Sequence, residues 1–419
     1  MASTIHISAF SRVTALAAQR PVHAAFAWLH GNPKTIMDWQ AAMVAIPAPP
    51  FGEQARSGWL AVRFTEAGLQ EVETDAIGNV SGWLRAAGLP AESTGPVVVI
   101  SAHLDTVFPA GTPLNPVVDG DRMNAPGSCD NAAGVVGMLA IAHALTASGA
   151  ALAAPLLFLG NVGEEGEGDL RGVRYFYSQS ALAGRIAAHI VLDGAGADSA
   201  VTQALGSRRY RVTVTGPGGH SFTDAGTPNP IAALASALAV VAGTPLPEEP
   251  RTTLNLGTIQ GGTSVNSIPE SAQAAIDFRS TNADELLLLE VALHRAVEDA
   301  VEHCNAQAIS AARNGRGLLA FKIDKIGDRP AAQLPTGSPL LEALRAVDRH
   351  LGLRTDQRLG STDANIPLSL GVPALSMGAG GDGGGAHTLA EWYSAKDRET
   401  GLKRVLLLAL AMTEWAAEQ

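Results

Sequence analysis

The 419-residue sequence is poor in cysteine, in aromatic residues and in positive charge. Two cysteines, Cys129 and Cys304, are too few for a disulfide framework or for a zinc site of four thiolates. A formal net charge of −11 argues against binding to the phosphate backbone of nucleic acids. The longest apolar run, residues 405–412, is far shorter than the roughly 20 residues of a membrane-spanning helix. We therefore expect a cytoplasmic, multidomain protein with neither a nucleic-acid nor a membrane partner.

Buried strands alternate with helices in the first half of the chain and again near its C-terminus. Four β-branched or fully apolar runs are typical of strands that are buried on both faces: residues 96–101, 155–160, 189–192 and 372–377. Helical patterns separate these runs. The sequence thus predicts an α/β domain, with a mostly parallel sheet and helices on both faces, formed by residues 1–206 and 325–419.

Residues 207–324 have a different pattern. Residues 209–214 alternate polar and apolar side chains, which is typical of a strand with one exposed face. The predicted elements that follow complete the order β-α-β-β-α-β. This is the order of a split βαβ sandwich, so we expect residues 207–324 to form an inserted α+β domain.

Histidines and acidic residues stand just after the predicted parallel strands or at the start of a helix. They are His103, Asp105, Asp130, Glu164, Glu165, Asp193 and His387. The carboxyl ends of parallel strands share one edge of a sheet, and ligands bind there. Imidazole and carboxylate ligands suit Zn²⁺, with Mn²⁺ or Co²⁺ as alternatives. Two divalent cations would balance the charge of several acids in one crevice.

Each of these residues has a simpler interpretation when it is considered alone. Asp130 precedes a predicted helix and has the chemistry of a helix cap. An acidic pair such as Glu164-Glu165 usually belongs to a solvated surface, but this pair follows an apolar strand and lies between Gly163 and Gly166. The repetition of such residues at several strand ends favours the metal site.

Eight motifs in order carry a resemblance to a known family. They are SAHLDTV (101–107), GSCDNAAGV (127–135), GNVGEEGEGDLRG (160–172), VLDG (191–194), GPGGHS (216–221), NSIPE (266–270), DFRS (277–280) and GAHT (385–388). The chain resembles the co-catalytic di-zinc exopeptidase and deacylase family, which includes glutamate carboxypeptidase, peptidase T, aminoacylase and succinyl-diaminopimelate desuccinylase. The resemblance extends from about residue 39 to the C-terminus.

The resemblance implies a set of metal ligands. Asp130 corresponds to the carboxylate that bridges two metal ions. Glu165 and His387 would complete one metal site, and His103 and Asp193 would complete the other. All five ligand positions hold a suitable residue in this chain.

The resemblance also implies catalytic and substrate-binding residues. Glu164 corresponds to the general base, which would activate a hydroxide that bridges the metals and hydrolyses an amide bond of a peptide. Asp105 corresponds to an acid that orients a metal ligand. His220, Asn266 and Arg279 lie in the inserted domain, where the family uses them on the substrate. That domain would act as a lid and form the interface of a homodimer, with His220 reaching the active site of the neighbouring subunit.

Alternative functions remain open from the sequence. Aminopeptidases, carboxypeptidases and N-acyl amino acid deacylases or desuccinylases share these motifs; an exopeptidase is favoured over a deacylase. Residues 374–378, centred on Ser376, approach the nucleophile elbow of a serine hydrolase, although glycines follow where a helix should begin. Residues 378–383 match a dinucleotide fingerprint, but the loop leads to His387 instead of a helix. A non-catalytic metal-binding protein would have no use for the unliganded acid Glu164.

Overall fold

The computed structural model describes residues 8–85, 95–308 and 317–419. Two compact units form the chain: Met1–Ala204 together with Gln333–Gln419, and the inserted unit Leu205–Ala332. The predicted boundary at residues 324 and 325 falls inside the strand Ala320–Arg329, so it was placed too early. Half of its residues are exposed, and residues 324–329 are mostly charged, so the sequence did not show that the strand continues.

Within the described residues, the first unit is built on a nine-stranded sheet. Its order is Gln70–Thr74, Val80–Leu84, Leu156–Asn161, Val97–His103, Ile186–Leu192, Ala374–Met377, Ser199–Ala204 and Ala332–Gln333, with Asp356–Gly360 paired to Ser199–Ala204. The four strands from Leu156–Asn161 to Ala374–Met377 pair in parallel and are almost completely buried. The predicted α/β class with a mostly parallel sheet is confirmed.

Helices pack against this sheet and against one another. In the described part of the first unit they are Ala9–Ala17, Arg20–Gly31, Pro33–Val44, Gln54–Glu66, Ala132–Ser148, Arg171–Gln179, Pro339–Leu351, Asn365–Ser369 and Arg398–Ala417. Val173 and Phe176 pack with Val97 and Val99 of the central strand. The helix Ala132–Ser148 is buried along most of its length, since its sequence is apolar on every side. No helix in the described ranges has the length and hydropathy needed to cross a bilayer.

A small second sheet in this unit joins two loops. Its strands, of three residues each, are ordered Asp382–Gly384, Trp392–Ser394, Arg122–Asn124 and Val117–Asp119. Trp392–Ser394 pairs with Arg122–Asn124, and the backbone N–H of Ala125 donates to the carbonyl of Glu391 at 3.1 Å. The sheet thus fixes the loop 385–391 beside the loop 125–131. Strands this short have no periodicity that a sequence could reveal.

The inserted unit has the predicted element order β-α-β-β-α-β. An antiparallel sheet is ordered Thr252–Gly261, Ser271–Ser280, Gly206–Thr215 and Ala320–Arg329. The helices Pro230–Ala242 and Ala283–Gln307 bury its alternate residues in a core that includes Val212, Ile276 and Phe278. A two-residue ribbon pairs Gly219–His220 with Ser267–Ile268.

Candidate metal centre

The predicted ligands of the first unit come together at the carboxyl edge of the parallel strands. His103 ends the strand Val97–His103, and Asp193 directly follows Ile186–Leu192. Three groups of side chains have ligand atoms that all lie within 4.8 Å of one another. The groups are His103 with Asp130 and Asp193; Asp130 with Glu165 and His387; and His103 with Glu164 and Glu165.

Asp130 lies between the first two groups. Its Oδ1 is 3.1 Å from Nε2 of His103, and that nitrogen is 3.8 Å from Oδ1 of Asp193. Its Oδ2 is 3.1 Å from Nε2 of His387, which is 3.0 Å from Oε1 of Glu165. Each oxygen of Asp130 therefore faces a different group.

The separations between donor atoms fit divalent cations. Ligands at about 2.0–2.2 Å from a tetrahedral Zn²⁺ ion lie roughly 3.3–3.6 Å from one another. The separations around Asp130, 3.0 to 3.8 Å, bracket this range. Oδ1 of Asp130 is buried and accepts no hydrogen bond of good geometry, although His103 is close to it. This set of donors is suited to two metal ions that share Asp130.

The helix-cap interpretation of Asp130 is wrong, because Asn131 performs that role. Oδ1 of Asn131 accepts the N–H groups of Gly134 at 3.1 Å and Gly194 at 3.0 Å. Its Nδ2 donates to the carbonyl of Leu192 at 2.9 Å. Asn131 therefore caps the helix Ala132–Ser148 and ties it to the strand that precedes Asp193. The carboxylate of Asp130 remains directed toward the histidines.

The side chain of Asp105 holds the backbone of Glu164 and Glu165. This fully buried carboxylate accepts the N–H of Glu164 at 3.0 Å and the N–H of Glu165 at 2.8 Å. The chain can make the turn because Gly163 has a φ of 65°, and a Cβ there would lie 2.5 Å from the side chain of Arg171. Asp105 thereby places the two glutamates together.

The backbone of Asp105 also orients His103. Nδ1 of His103 is 3.2 Å from the main-chain oxygen of Asp105, which can only accept a hydrogen bond. A proton on Nδ1 leaves Nε2 as the lone-pair nitrogen that faces Asp130 and Asp193. Metal-binding histidines in proteins are oriented in this way.

Glu164 lies beside the ligands and is 5% exposed. One of its carboxylate oxygens is within 4.8 Å of ligand atoms of His103 and Glu165. It belongs to neither of the two groups that contain Asp130. This location suits a group that exchanges protons close to metal ions.

Nearby carboxylates raise the pKa values of both histidines. The hydrogen bond to Asp130 is the main cause for His387, whose pKa rises to about 9. Burial alone would lower the pKa of His103, but Asp105, Asp130 and Asp193 outweigh burial and raise it well above its usual value. The pKa of Asp130 is lowered: burial would raise it, but the nearby imidazoles of His103 and His387 outweigh that effect. Without metal, protonated imidazoles supply the positive charge that these carboxylates require.

His387 reaches the site from a strained position in its loop. Its φ is 65°, in the left-handed region that residues other than glycine seldom adopt. Such a conformation costs on the order of 1–3 kcal/mol and is typical of functional sites. In this conformation the imidazole meets both Asp130 and Glu165.

Two buried acids near the site were not predicted from the sequence. The carboxylate of Glu391 accepts backbone N–H groups from the loop that carries Asp130. Asp363 accepts a hydrogen bond from Nδ2 of Asn161 at 2.7 Å, and burial raises its pKa to about 7. Asp363 follows the polar strand Asp356–Gly360, which runs antiparallel to the four central strands, so the pattern of acids after buried parallel strands did not identify it.

Two of the predicted substrate residues lie close together in the inserted unit. His220 pairs with Ser267 in the short ribbon, and the N–H of Ser221 donates to the carbonyl of Asn266 at 3.0 Å. Nδ1 of His220 accepts the N–H groups of Phe222 at 3.2 Å and Thr223 at 3.4 Å. The neutral imidazole therefore carries its proton on Nε2.

Arg279 lies elsewhere in the inserted unit, on the sheet. Its Nε donates to Oδ2 of Asp277 at 2.7 Å, and 39% of the side chain is exposed. The guanidinium is therefore paired and partly solvated in the single chain.

The geometry disfavours a serine nucleophile at Ser376. This residue is 2% exposed and lies within the strand Ala374–Met377. A nucleophile elbow would present the serine on a sharp turn after the strand.

Comparison with known proteins identifies the family. The sequence profile of peptidase family M20/M25/M40 matches residues 99–411. The chain belongs to this family, so it is a metal-dependent hydrolase that acts on peptide bonds. The resemblance inferred from the motifs is confirmed. A sequence search of curated proteins gives no match.

Solved structures share the fold at low sequence identity. Aminopeptidase PepT of Bacillus cereus superposes with a TM-score of 0.70 at 19% identity, over 91% of this chain and 99% of that one. Human carnosine dipeptidase 1 superposes with a TM-score of 0.67 at 15% identity, over 94% of this chain and 99% of that one. The YXEP protein of Bacillus subtilis is described as a dinuclear metal binding peptidase. It superposes with a TM-score of 0.61 at 17% identity, over 92% of this chain and 99% of that one.

Metal uptake should release protons near neutral pH. The raised pKa values of His103 and His387 keep both imidazoles protonated at pH 7.5 in the metal-free chain, and each must lose its proton to bind a metal. We expect release of about two protons when two Zn²⁺ ions bind, with less release from His387 above pH 9. Calorimetric titration in buffers of different ionisation enthalpy measures this number. Binding heats that do not depend on the buffer would contradict the prediction.

Proposed function

We propose that the protein is an exopeptidase that removes a terminal residue from short peptides with the aid of two metal ions. One observation carries this proposal. Asp130 lies between His103 and His387, with one oxygen toward each, and Glu164 lies next to the same cluster without belonging to either group around Asp130. A purely structural metal site needs no additional acid of this kind.

The two metal sites would share Asp130. His103 and Asp193 would complete one site, and Glu165 and His387 the other. Zn²⁺ suits these nitrogen and oxygen donors best, and Mn²⁺ or Co²⁺ are alternatives. Metal ions at these positions would lower the pKa of bound water and polarise the carbonyl of the scissile bond.

Glu164 would be the general base. It would accept a proton from the attacking water and deliver it to the leaving amine. Asp105 holds the backbone of Glu164 and so sets where that carboxylate can reach. Asp105 therefore acts by positioning, while Glu164 handles the proton.

Residues of the inserted unit would bind the substrate. Because Nδ1 of His220 accepts backbone N–H groups, its Nε2–H is the group that could donate to the developing oxyanion. Asn266 lies beside His220 through the short ribbon and could hold the substrate backbone. Arg279 could bind a substrate carboxylate if that carboxylate competes with Asp277.

A peptide substrate is favoured over an N-acyl amino acid. Aminopeptidase PepT of Bacillus cereus and human carnosine dipeptidase 1 share the fold over almost their entire length. Their names indicate substrates with a peptide bond near a chain end, and we propose the same class here. A cytoplasmic location stays a prediction from the sequence.

A homodimer through the inserted unit is also part of the proposal. The strand Thr252–Gly261 is an edge of its sheet and exposes Leu256 and Ile259. Val240 on the helix Pro230–Ala242 is also exposed. An edge strand with apolar side chains invites pairing with another chain, and a two-fold symmetric pairing would cover both copies.

The first test is hydrolysis by the zinc-loaded protein. Free dipeptides and tripeptides should be cleaved, whereas N-acetyl and N-succinyl amino acids should be cleaved slowly or not at all. Glu164→Gln keeps the shape of the side chain but cannot accept a proton, so turnover should fall by at least about 10²–10⁴-fold with unchanged metal content. Amino acid release measured by chromatography gives the rates, and elemental analysis gives the metal content.

Two outcomes of this test would contradict the proposal. Rapid cleavage of only the N-acyl amino acids would identify a deacylase instead. Loss of metal in Glu164→Gln would make Glu164 a ligand and not the base.

The second test asks whether His220 acts in the active site of the partner subunit. Inactive His220→Ala and Glu164→Gln proteins are mixed and allowed to exchange subunits. Half of randomly formed dimers are mixed, and each contains one complete site if His220 acts on the neighbouring subunit, so activity should recover to about a quarter of wild type. Activity that stays at the level of the parents after verified exchange would show that His220 does not act in the partner subunit.

A further inference from the structure

We infer that Glu391 is a positioning residue that sets the affinity of both metal sites by holding the backbone of Asp130. The inference rests on the proposed function and adds a residue to it. Glu391 and His387 belong to the same loop, so this segment would supply one metal ligand and also fix the ligand that the two sites share. Glu391 itself would touch neither metal nor substrate.

The contacts of Glu391 are concentrated on one loop. Its Oε2 accepts the N–H of Gly127 at 2.7 Å. Its Oε1 accepts the N–H groups of Cys129 and Asp130, both at 2.8 Å. A single carboxylate thus binds three backbone donors within four residues, and it is 1% exposed. Charged acceptors form stronger hydrogen bonds than neutral ones, so this loop has little freedom to move.

Other buried side chains also hold the same loop. Nε2 of Gln40 donates to the carbonyl of Ser128 at 2.6 Å. Oε1 of Gln40 in turn accepts from Nη2 of Arg398 at 2.5 Å. The loop is therefore bound through its N–H groups by Glu391 and through a carbonyl by Gln40. These contacts cover residues 127–130, and Asn131 fixes the chain directly after Asp130.

A buried cation interacts electrostatically with Glu391, although burial still raises the pKa of this carboxyl. The guanidinium of Arg56 is completely buried and donates to the carbonyls of Ile46 and Leu104, both at 2.8 Å. Burial lowers its pKa to about 10, while the negative charges of Asp105 and Glu391 oppose that shift. Arg56 therefore places a positive charge near two carboxylates, one that holds the backbone of Glu164 and Glu165 and one that holds the backbone of Asp130.

The test is zinc binding by Glu391→Gln. The amide oxygen can replace only one carboxylate oxygen, and the amide NH₂ would then face at least one backbone N–H as a second donor. Removal of groups that orient metal ligands typically weakens metal binding by about 10–100-fold. Since Asp130 would be shared by both metal sites, we expect Glu391→Gln to bind zinc about 10–100-fold more weakly at each of them. The readouts are calorimetric titration of the chelator-treated protein with ZnCl₂ at 25 °C and the visible absorption spectrum with CoCl₂.

Asp348→Asn is the matched control. Asp348 is also a buried carboxylate of the same unit, but it pairs with Arg404 in another part of the fold. This variant should lose thermal stability and still bind two zinc ions with wild-type affinity. Wild-type affinity in Glu391→Gln would overturn the inference, and so would an equal loss of affinity in Asp348→Asn.

A second measurement needs no variant. In the metal-free wild-type protein, the amide protons of Cys129 and Asp130 should exchange as slowly as those of the central strands, because Glu391 holds them without metal. Fast exchange that becomes slow only after ZnCl₂ is added would overturn the inference. Failure of the proposed function gives a different result, since the wild-type protein would then bind no zinc or would not hydrolyse peptides.

Discussion

The excess of carboxylates at one edge of the central sheet is the constraint on which the site depends. Asp105, Asp130, Glu164, Glu165 and Asp193 all lie within or beside the same cluster, together with two histidines. Buried or half-buried charges of one sign are tolerated only when opposite charge compensates for them. The raised pKa values of His103 and His387 show how the metal-free chain meets this requirement, by protonation. Divalent cations would meet it better, because each brings two charges and binds the carboxylates directly.

The surrounding residues fix the backbone at each ligand. Asp105 binds the N–H groups of Glu164 and Glu165, and Asn131 links the start of its helix to the residue after Asp193. Glu391 does the same for the loop of Asp130. Backbone contacts of this kind fix where a side chain begins and leave its oxygens available. The arrangement explains how several acids can be kept close together in a folded chain.

The sequence predicted those parts of the site that follow long, fully buried strands. His103, Glu164 and Asp193 were proposed in this way, and the structure brings them together at one edge of the sheet. The ordered motifs identified the family. Glu391 was missed because it precedes a strand of only three residues, and Asp363 was missed because the strand before it is exposed and polar. Asp130 and Asn131 are both good cap residues, so the sequence alone could not decide which one caps the helix. That choice depends on Leu192 and Gly194, which are distant in the chain and adjacent only in the fold.

The sharing of Asp130 between two metal ions is the central claim, and counting metal ions tests it most directly. Wild type, Asp130→Ala and Asp193→Ala are loaded with zinc, freed of excess metal by gel filtration and analysed for zinc per chain, with circular dichroism as the check on folding. Two ions per wild-type chain are expected from the two groups that meet at Asp130. Asp193→Ala should retain close to one ion, and Asp130→Ala should lose both. An Asp130→Ala protein that is folded and holds as much zinc as Asp193→Ala would contradict the account.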